Sequence, residues 1–155
     1  MDKDLIQKLK NHWRNINAAT IGFAQSIPAN KWHSKTFDNR FKSFSWEFAC
    51  LTRTRMCYTK GLKTGELIFS TQKEVPNKEV VEKWGKTKVV NELKKLAKEI
   101  LTLIGKVDSP NQVDMIIWLL EHERIHHGKL TLYHSKANFK LPESFKNTWG
   151  KNNFP

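Results

Sequence analysis

Residues 115–137 read MIIWLLEHERIHHGKLTLYHSKA. Met115, Leu119, His122, His126, Leu130, Tyr133 and Ala137 recur at steps of three and four, which puts them on one stripe of an α-helix. The stripe is apolar except at its middle, where two histidines stand one turn apart. Just upstream, GKVDSPN at 105–111 supplies a boundary, with Ser109 as N-cap and Pro110 at the first helical position. A helix over about 111–137 is therefore predicted.

Three more helical segments are expected upstream of it. Leu5, Leu9, Ile16, Phe23 and Ile27 give helical periodicity from about Lys3 to Ile27, and Pro28 ends it. A second helix starts at the N-cap Ser43 and runs to about Lys60, with Gly61 as its C-cap. ELIF at 66–69 is too short and isolated to found a sheet. A third helical stretch covers Lys78 to Ile104, divided at Gly85, with Val89, Leu93, Leu96, Ile100 and Ile104 on one stripe and lysines opposite. In the tail, Phe145 and Trp149 are expected to pack on the body. The pattern reads as all-α, a four-helix bundle forming one domain over 1–155.

At 155 residues, 39% hydrophobic and 27% charged, the chain is long enough for a core and too apolar for disorder. No apolar run approaches the roughly 20 residues of a membrane span. MDKDLIQKLK at 1–10 has no signal-peptide core, so a cytoplasmic protein is expected. Cys50 and Cys57 on one helix stand about 10 Å apart along its axis, too far for a disulfide, so two free thiols are expected. The net charge of +12 comes from 27 basic and 15 acidic residues. Only five of the basic residues are arginine, and the lysines spread over the whole chain. No recognition helix or aromatic RNA-binding motif accompanies them, so the charge reads as a lysine-coated surface rather than a nucleic-acid interface.

A lone histidine on a helix is ordinarily a hydrogen-bonded core or surface residue. A pair at i and i+4 inside an apolar stripe differs, because both imidazoles can address one ion. His122 and His126 are thus candidate metal ligands, while His127 and His134 share another face and are expected to point to solvent. The run also fits His-Glu-x-x-His, with Glu123 in the place of a protease base. The extended protease form needs Gly at 129 and His at 132, where this chain has Lys129 and Leu132. A zinc protease is therefore a remote alternative, and Glu123 is expected at the surface or behind a ligand.

HERIHHGKLTLYHSKANFKLP at 122–142 resembles the last helix of the DinB/YfiT-like superfamily, with His-x-x-x-His, an adjacent His, Gly-Lys-Leu, an aromatic and a closing Pro. IPANKW at 27–32 and SFSWEFACL at 43–51 resemble its first loop and second-helix start. The likeness spans about Leu5 to Pro142. It implies an up-down-down-up four-helix bundle, a homodimer, and zinc or nickel held by three histidines. Two of these map to His122 and His126. Counting from Ser43, the third falls on Cys50, a departure from the family. Cysteine binds zinc as thiolate but also fills a core as a small apolar residue. Glu47, one turn earlier, is the second candidate, His12 a more remote one, and an incomplete or empty site is a further alternative.

The resemblance further implies a metal-dependent transferase that activates a low-molecular-weight thiol, such as bacillithiol, in detoxification or stress response. Arg53, Arg55 or Arg124 would orient the cosubstrate's carboxylates. The alternative is a non-catalytic dimeric binding module that has lost full metal ligation.

Overall fold

The computed structural model describes residues 2–38 and 40–148 in full and the backbone of 149; the expected packing of Trp149 falls outside them. Six α-helices follow in order: α1 Lys3–Ser26, α2 Phe44–Thr64, α3 Lys78–Glu82, α4 Lys86–Ile104, α5 Pro110–Ala137 and α6 Glu143–Lys146. Two short 3-10 turns, Ala29–Lys31 and Asn147–Trp149, complete the order. Among the described residues there is no strand, only two isolated bridges. The fold is all-α, and no helix is long and apolar enough to cross a membrane.

Local chemistry sets the helix ends. Ser43 and Ser109 accept from the backbone N–H groups of Trp46 and Gln112, satisfying donors that the first turn leaves open. Gly85 divides the third helical stretch, as N-cap of α4. One boundary differs from expectation. α2 continues past Gly61 to Thr64 and ends at Gly65, whose φ of 80° is the left-handed cap that favours glycine. Gly61 is instead buried in the last turns, where Leu67 folds back against it. Glu66–Phe69 stays irregular, and Arg53 donates to the carbonyls of Phe69 and Ser70.

The four long helices pack in a ring. α1 and α2 each lie against α4 and α5, so α1 stands opposite α2. Cross-helix bonds give the directions. Trp13 Nε1 donates to the Ala97 carbonyl and Lys86 Nζ to that of Ile27, so α1 and α4 are antiparallel. Thr20 meets Glu123 and Ser26 meets His134, so α1 and α5 are parallel. Gln112 reaches the Leu62 carbonyl while Glu47 reaches His126, so α2 and α5 are antiparallel. The order of directions is up, down, down, up.

The core is not uniformly apolar. One cluster holds Phe23, Trp32, Phe44, Phe48, Leu93, Leu130 and Tyr133 among others. A second holds Trp13, Tyr58, Ile100, Met115 and Leu119. Between them, at the mid-height of α2 and α5, lies a belt of polar side chains that includes Arg55, Glu123, His126 and His127, all buried. α6 closes over α1. A Cβ on Gly22 would meet Ser144 Oγ at 2.2 Å, so only glycine allows that approach. Phe145 is buried against Phe23 and His127.

Candidate metal centre

α2 and α5 run antiparallel with their mid-turns in contact, and this brings Cys50, His122 and His126 together. One ligand atom from each lies within 4.8 Å of the others. Cys50 Sγ is 3.7 Å from His122 Nε2, and Thr54 Oγ1 is 3.4 Å from the same nitrogen. The two imidazole centroids stand 4.6 Å apart, the separation expected of residues one turn apart on α5. Cys50 and His122 are half-buried, and His126 is buried.

Glu47 stands behind this cluster rather than in it. Its Oε2 lies 2.7 Å from His126 Nδ1, which leaves Nε2 to face the other two residues. The Tyr133 hydroxyl donates to Glu47 Oε1 at 3.2 Å, and Lys129 Nζ approaches Oε2 at 3.7 Å. A carboxylate on the far nitrogen fixes tautomer and ring orientation, as it does for metal-ligating histidines in general. His122 has no counterpart, since its Nδ1 is buried without a hydrogen-bond partner.

The charges follow from the geometry. Burial opposes the thiolate of Cys50, but hydrogen bonds and charge from His122 and His126 win and lower it to about 5. Burial likewise opposes the imidazolium of His126, yet Cys50 and Glu47 raise it to about 9. Glu47 is held below the ordinary carboxylate range, its burial outweighed by His126, Lys129 and Tyr133. At neutral pH the metal-free cluster is therefore a thiolate beside an imidazolium.

The other face of α5 departs from expectation. His127 and His134 are not solvent-facing; both are buried, as is Glu123. α5 has two neighbours, and its second buried side meets small hydroxyl residues of α1. His134 Nε2 is 2.7 Å from Ser26 Oγ, and its Nδ1 is 2.8 Å from the Leu130 carbonyl. Glu123 makes a two-point ion pair with Arg55, Nε to Oε1 at 2.7 Å and Nη2 to Oε2 at 2.9 Å, with both side chains fully buried. Arg55 Nη1 also donates to Asn17 and the Leu93 carbonyl, and its guanidinium lies over Trp13. Thr20 donates to Glu123 and lies 2.7 Å from His127 Nε2. One network thus ties all four long helices together.

This geometry settles several candidates. Glu123 has both oxygens engaged by Arg55 and Thr20, so it is not placed to act as a protease base. Arg55 is consumed by the same pair and cannot orient a cosubstrate. Arg53 is turned to the carbonyls after α2. Arg124 and His12 line a groove between α1 and α5, away from Cys50. Sequence reasoning missed Tyr133 as a partner of Glu47. The available signal was its place on the His122–His126 stripe, two turns beyond His126. The chain matches no protein-family model and no curated protein.

Proposed function

We propose that the protein is a DinB/YfiT-like four-helix bundle that holds zinc through Cys50, His122 and His126 and activates a small thiol for transfer to an electrophile. One observation carries the reading: three good zinc donors from two helices converge within 4.8 Å. The donor set fits. A thiolate and two imidazoles suit zinc, and three protein ligands leave a position open. The sulfur donor favours zinc among the two metals that the resemblance implies. The up-down-down-up order of α1, α2, α4 and α5 supports the family reading.

Zinc in such a set keeps a coordinated thiol as thiolate near neutral pH. The chain's own residues supply the rest. Glu47 and Tyr133 hold the His126 ring. Arg40, Lys42 and Lys129 rim a cleft of about 360 Å³ that reaches Trp46 and Glu47, and this basic rim suits a carboxylate-bearing thiol such as bacillithiol.

Metal analysis of protein purified without a histidine tag tests the reading. About one zinc per chain is expected, as for a single three-ligand site with one open position, with His122→Ala and His126→Ala each reduced to background. A chain that takes up no metal after reconstitution overturns the metal centre. Zinc without consumption of a bacillithiol-type thiol, measured against a generic electrophile with and without chelator, overturns the transferase alone.

A further inference from the structure

α1 and α4 leave a cleft of about 230 Å³ between them, on the opposite side of the helix ring from Cys50, His122 and His126. Its floor is apolar and consists of the buried Trp13, Ala97 and Leu101. Its walls carry three cations, Arg14 on α1 and Lys94 and Lys98 one turn apart on α4. Among the described residues no acidic side chain lines it, and none of the three cations is in an ion pair. Elsewhere the surface lysines do find carboxylates, as Lys60 finds Glu74 and Lys63 finds Glu99. Cations gathered around a cleft without a counter-charge make a field that draws an anion.

Asn17 adds a fixed donor. It is half-buried, and its Oδ1 accepts from Arg55 Nη1 at 2.9 Å. Arg55 can only donate, so the amide oxygen is turned toward the bundle interior, and the two Nδ2 hydrogens are what Asn17 offers the cleft. Trp13 is held from the same side, with its Nε1 bonded to the Ala97 carbonyl and the Arg55 guanidinium over its ring. Arg14 gives one Nη1 bond to Asn11 and keeps the rest of its fork. The polar groups that these side chains present to the cleft are therefore donors only.

That donor set selects the ligand. A carboxylate brings one charge and two oxygens, which leaves part of the set unanswered. A phosphomonoester brings about −1.5 to −2 charges at pH 7 and three acceptor oxygens. The cleft is smaller than the pockets that hold drug-sized molecules, so the organic part is about one ring or a short chain. We propose that the α1–α4 cleft binds a small organic phosphomonoester, with its phosphate on Arg14, Lys94, Lys98 and Asn17 Nδ2 and its apolar body on Trp13, Ala97 and Leu101. The inference stands apart from the metal centre, and neither rests on the other.

Calorimetric titration of the full chain with phenyl phosphate tests it, at low salt where charges are little screened. Saturable binding is expected. Lys94→Glu and Lys98→Glu should each weaken it about tenfold or more, as for the loss of a hydrogen bond to a charged group. Asn17→Asp is the sharper variant. Its carboxylate still accepts from Arg55, so helicity by circular dichroism should be unchanged, but a charged acceptor replaces the two donors and binding should be lost. His122→Ala and Lys129→Gln, which alter the metal centre and the basic rim beside it, should bind phenyl phosphate as the wild type does. Phenyl sulfate lacks the second charge and inorganic phosphate lacks the ring, and each should bind about tenfold more weakly. No saturable binding, binding that survives all three cleft variants, or binding lost in His122→Ala or Lys129→Gln overturns the proposal. Inorganic phosphate as tight as phenyl phosphate overturns the ligand class, because the apolar floor would then contribute nothing. A duplex oligonucleotide that binds more tightly than phenyl phosphate and is lost in the same variants also overturns it, by making the cleft part of a nucleic-acid contact.

Discussion

His126 and His127 are neighbours in sequence and meet opposite fates. His126 faces α2, where Cys50 and Glu47 hold it charged. His127 faces α1, where burial comes first among its influences and lowers it to about 4, so it stays neutral. Its neighbours there are Thr20, the carboxylate of Glu123 already paired to Arg55, and the rings of Phe23 and Phe145. The two faces use the same kinds of side chain. On the α1 side the polar groups are largely tied up with one another, around a saturated Arg55–Glu123 pair. On the α2 side, three potential ligand atoms converge within 4.8 Å of one another. What a histidine does on this helix is decided by the helix opposite: a cysteine and a carboxylate on α2 make a cluster that could hold a metal ion, while small hydroxyls on α1 make a structural bond.

If the two faces are separate in function, breaking the α1 side should cost stability and spare the metal. Glu123→Ala and Arg55→Ala are each expected to destabilise by about 3–5 kcal/mol, because each strands a buried charge. Arg55→Met with Glu123→Leu should recover part of that loss by removing both charges. Chemical denaturation measures the first effect, and zinc content of the folded fraction should remain at the wild-type level. A Glu123 variant that stays folded but loses its zinc would join the two faces into one unit and end the distinction.

The same contrast has a pH signature in the metal-free protein. His127 titrates near 4 when folded and near 6.5 when unfolded. Between those values the unfolded chain binds a proton that the folded chain does not, so stability falls as pH drops through this window. The effect is worth about 3 kcal/mol. Glu123, lowered to about 2 when burial is outweighed by Arg55, adds its own loss only below about 4.5. On the other face the signs oppose one another. Stability from Cys50 is full above 9 and lost on falling to about 5; stability from His126 is full below 6.5 and lost on rising through about 9. Metal-free stability should therefore be nearly flat from 6.5 to 9 and decline below 6.5. Denaturant midpoints across pH check this, and His127→Gln should make the decline between 6.5 and 4 shallower, leaving the loss from Cys50 down to about 5.

Much of the frame was legible in the sequence. Ser43, Ser109 and Gly85 mark helix ends by local rules, and those rules need nothing from the rest of the chain. The His122–His126 stripe was legible for the same reason. The second buried side of α5 was not. Reading one apolar stripe per helix assumes one neighbour, whereas a helix in a ring has two and buries a wider arc. By that assumption His127 and His134, on another face, point to solvent, and Glu123 lies at the surface or behind a ligand, whereas all three are buried. Their partners, Thr20, Arg55 and Ser26, lie far away in sequence and give no local sign of pairing. A glycine near a helix end is a common stop, which points to Gly61, but the left-handed residue is Gly65.

On the α2 face the expected effects are smaller and fall on affinity rather than on the fold. Glu47→Gln keeps a side chain of the same shape but removes the carboxylate behind His126. Zinc affinity should drop about 10–100-fold, the range for losing such a partner, as read by competition with a chromophoric chelator.

The smallest effect sharpens the comparison most. Tyr133→Phe deletes one hydroxyl from Glu47 and keeps the ring against Phe37, Phe41 and Phe44. If Tyr133 acts on the centre only by holding Glu47, affinity should fall by no more than about tenfold, within the worth of one hydrogen bond to a charged group. On a Glu47→Gln background the same change should then have almost no further effect, because the carboxylate it served is gone. Full additivity of the two losses would mean that Tyr133 reaches the metal centre by another route, and that the α2 face is organised by more than the Glu47–His126 contact.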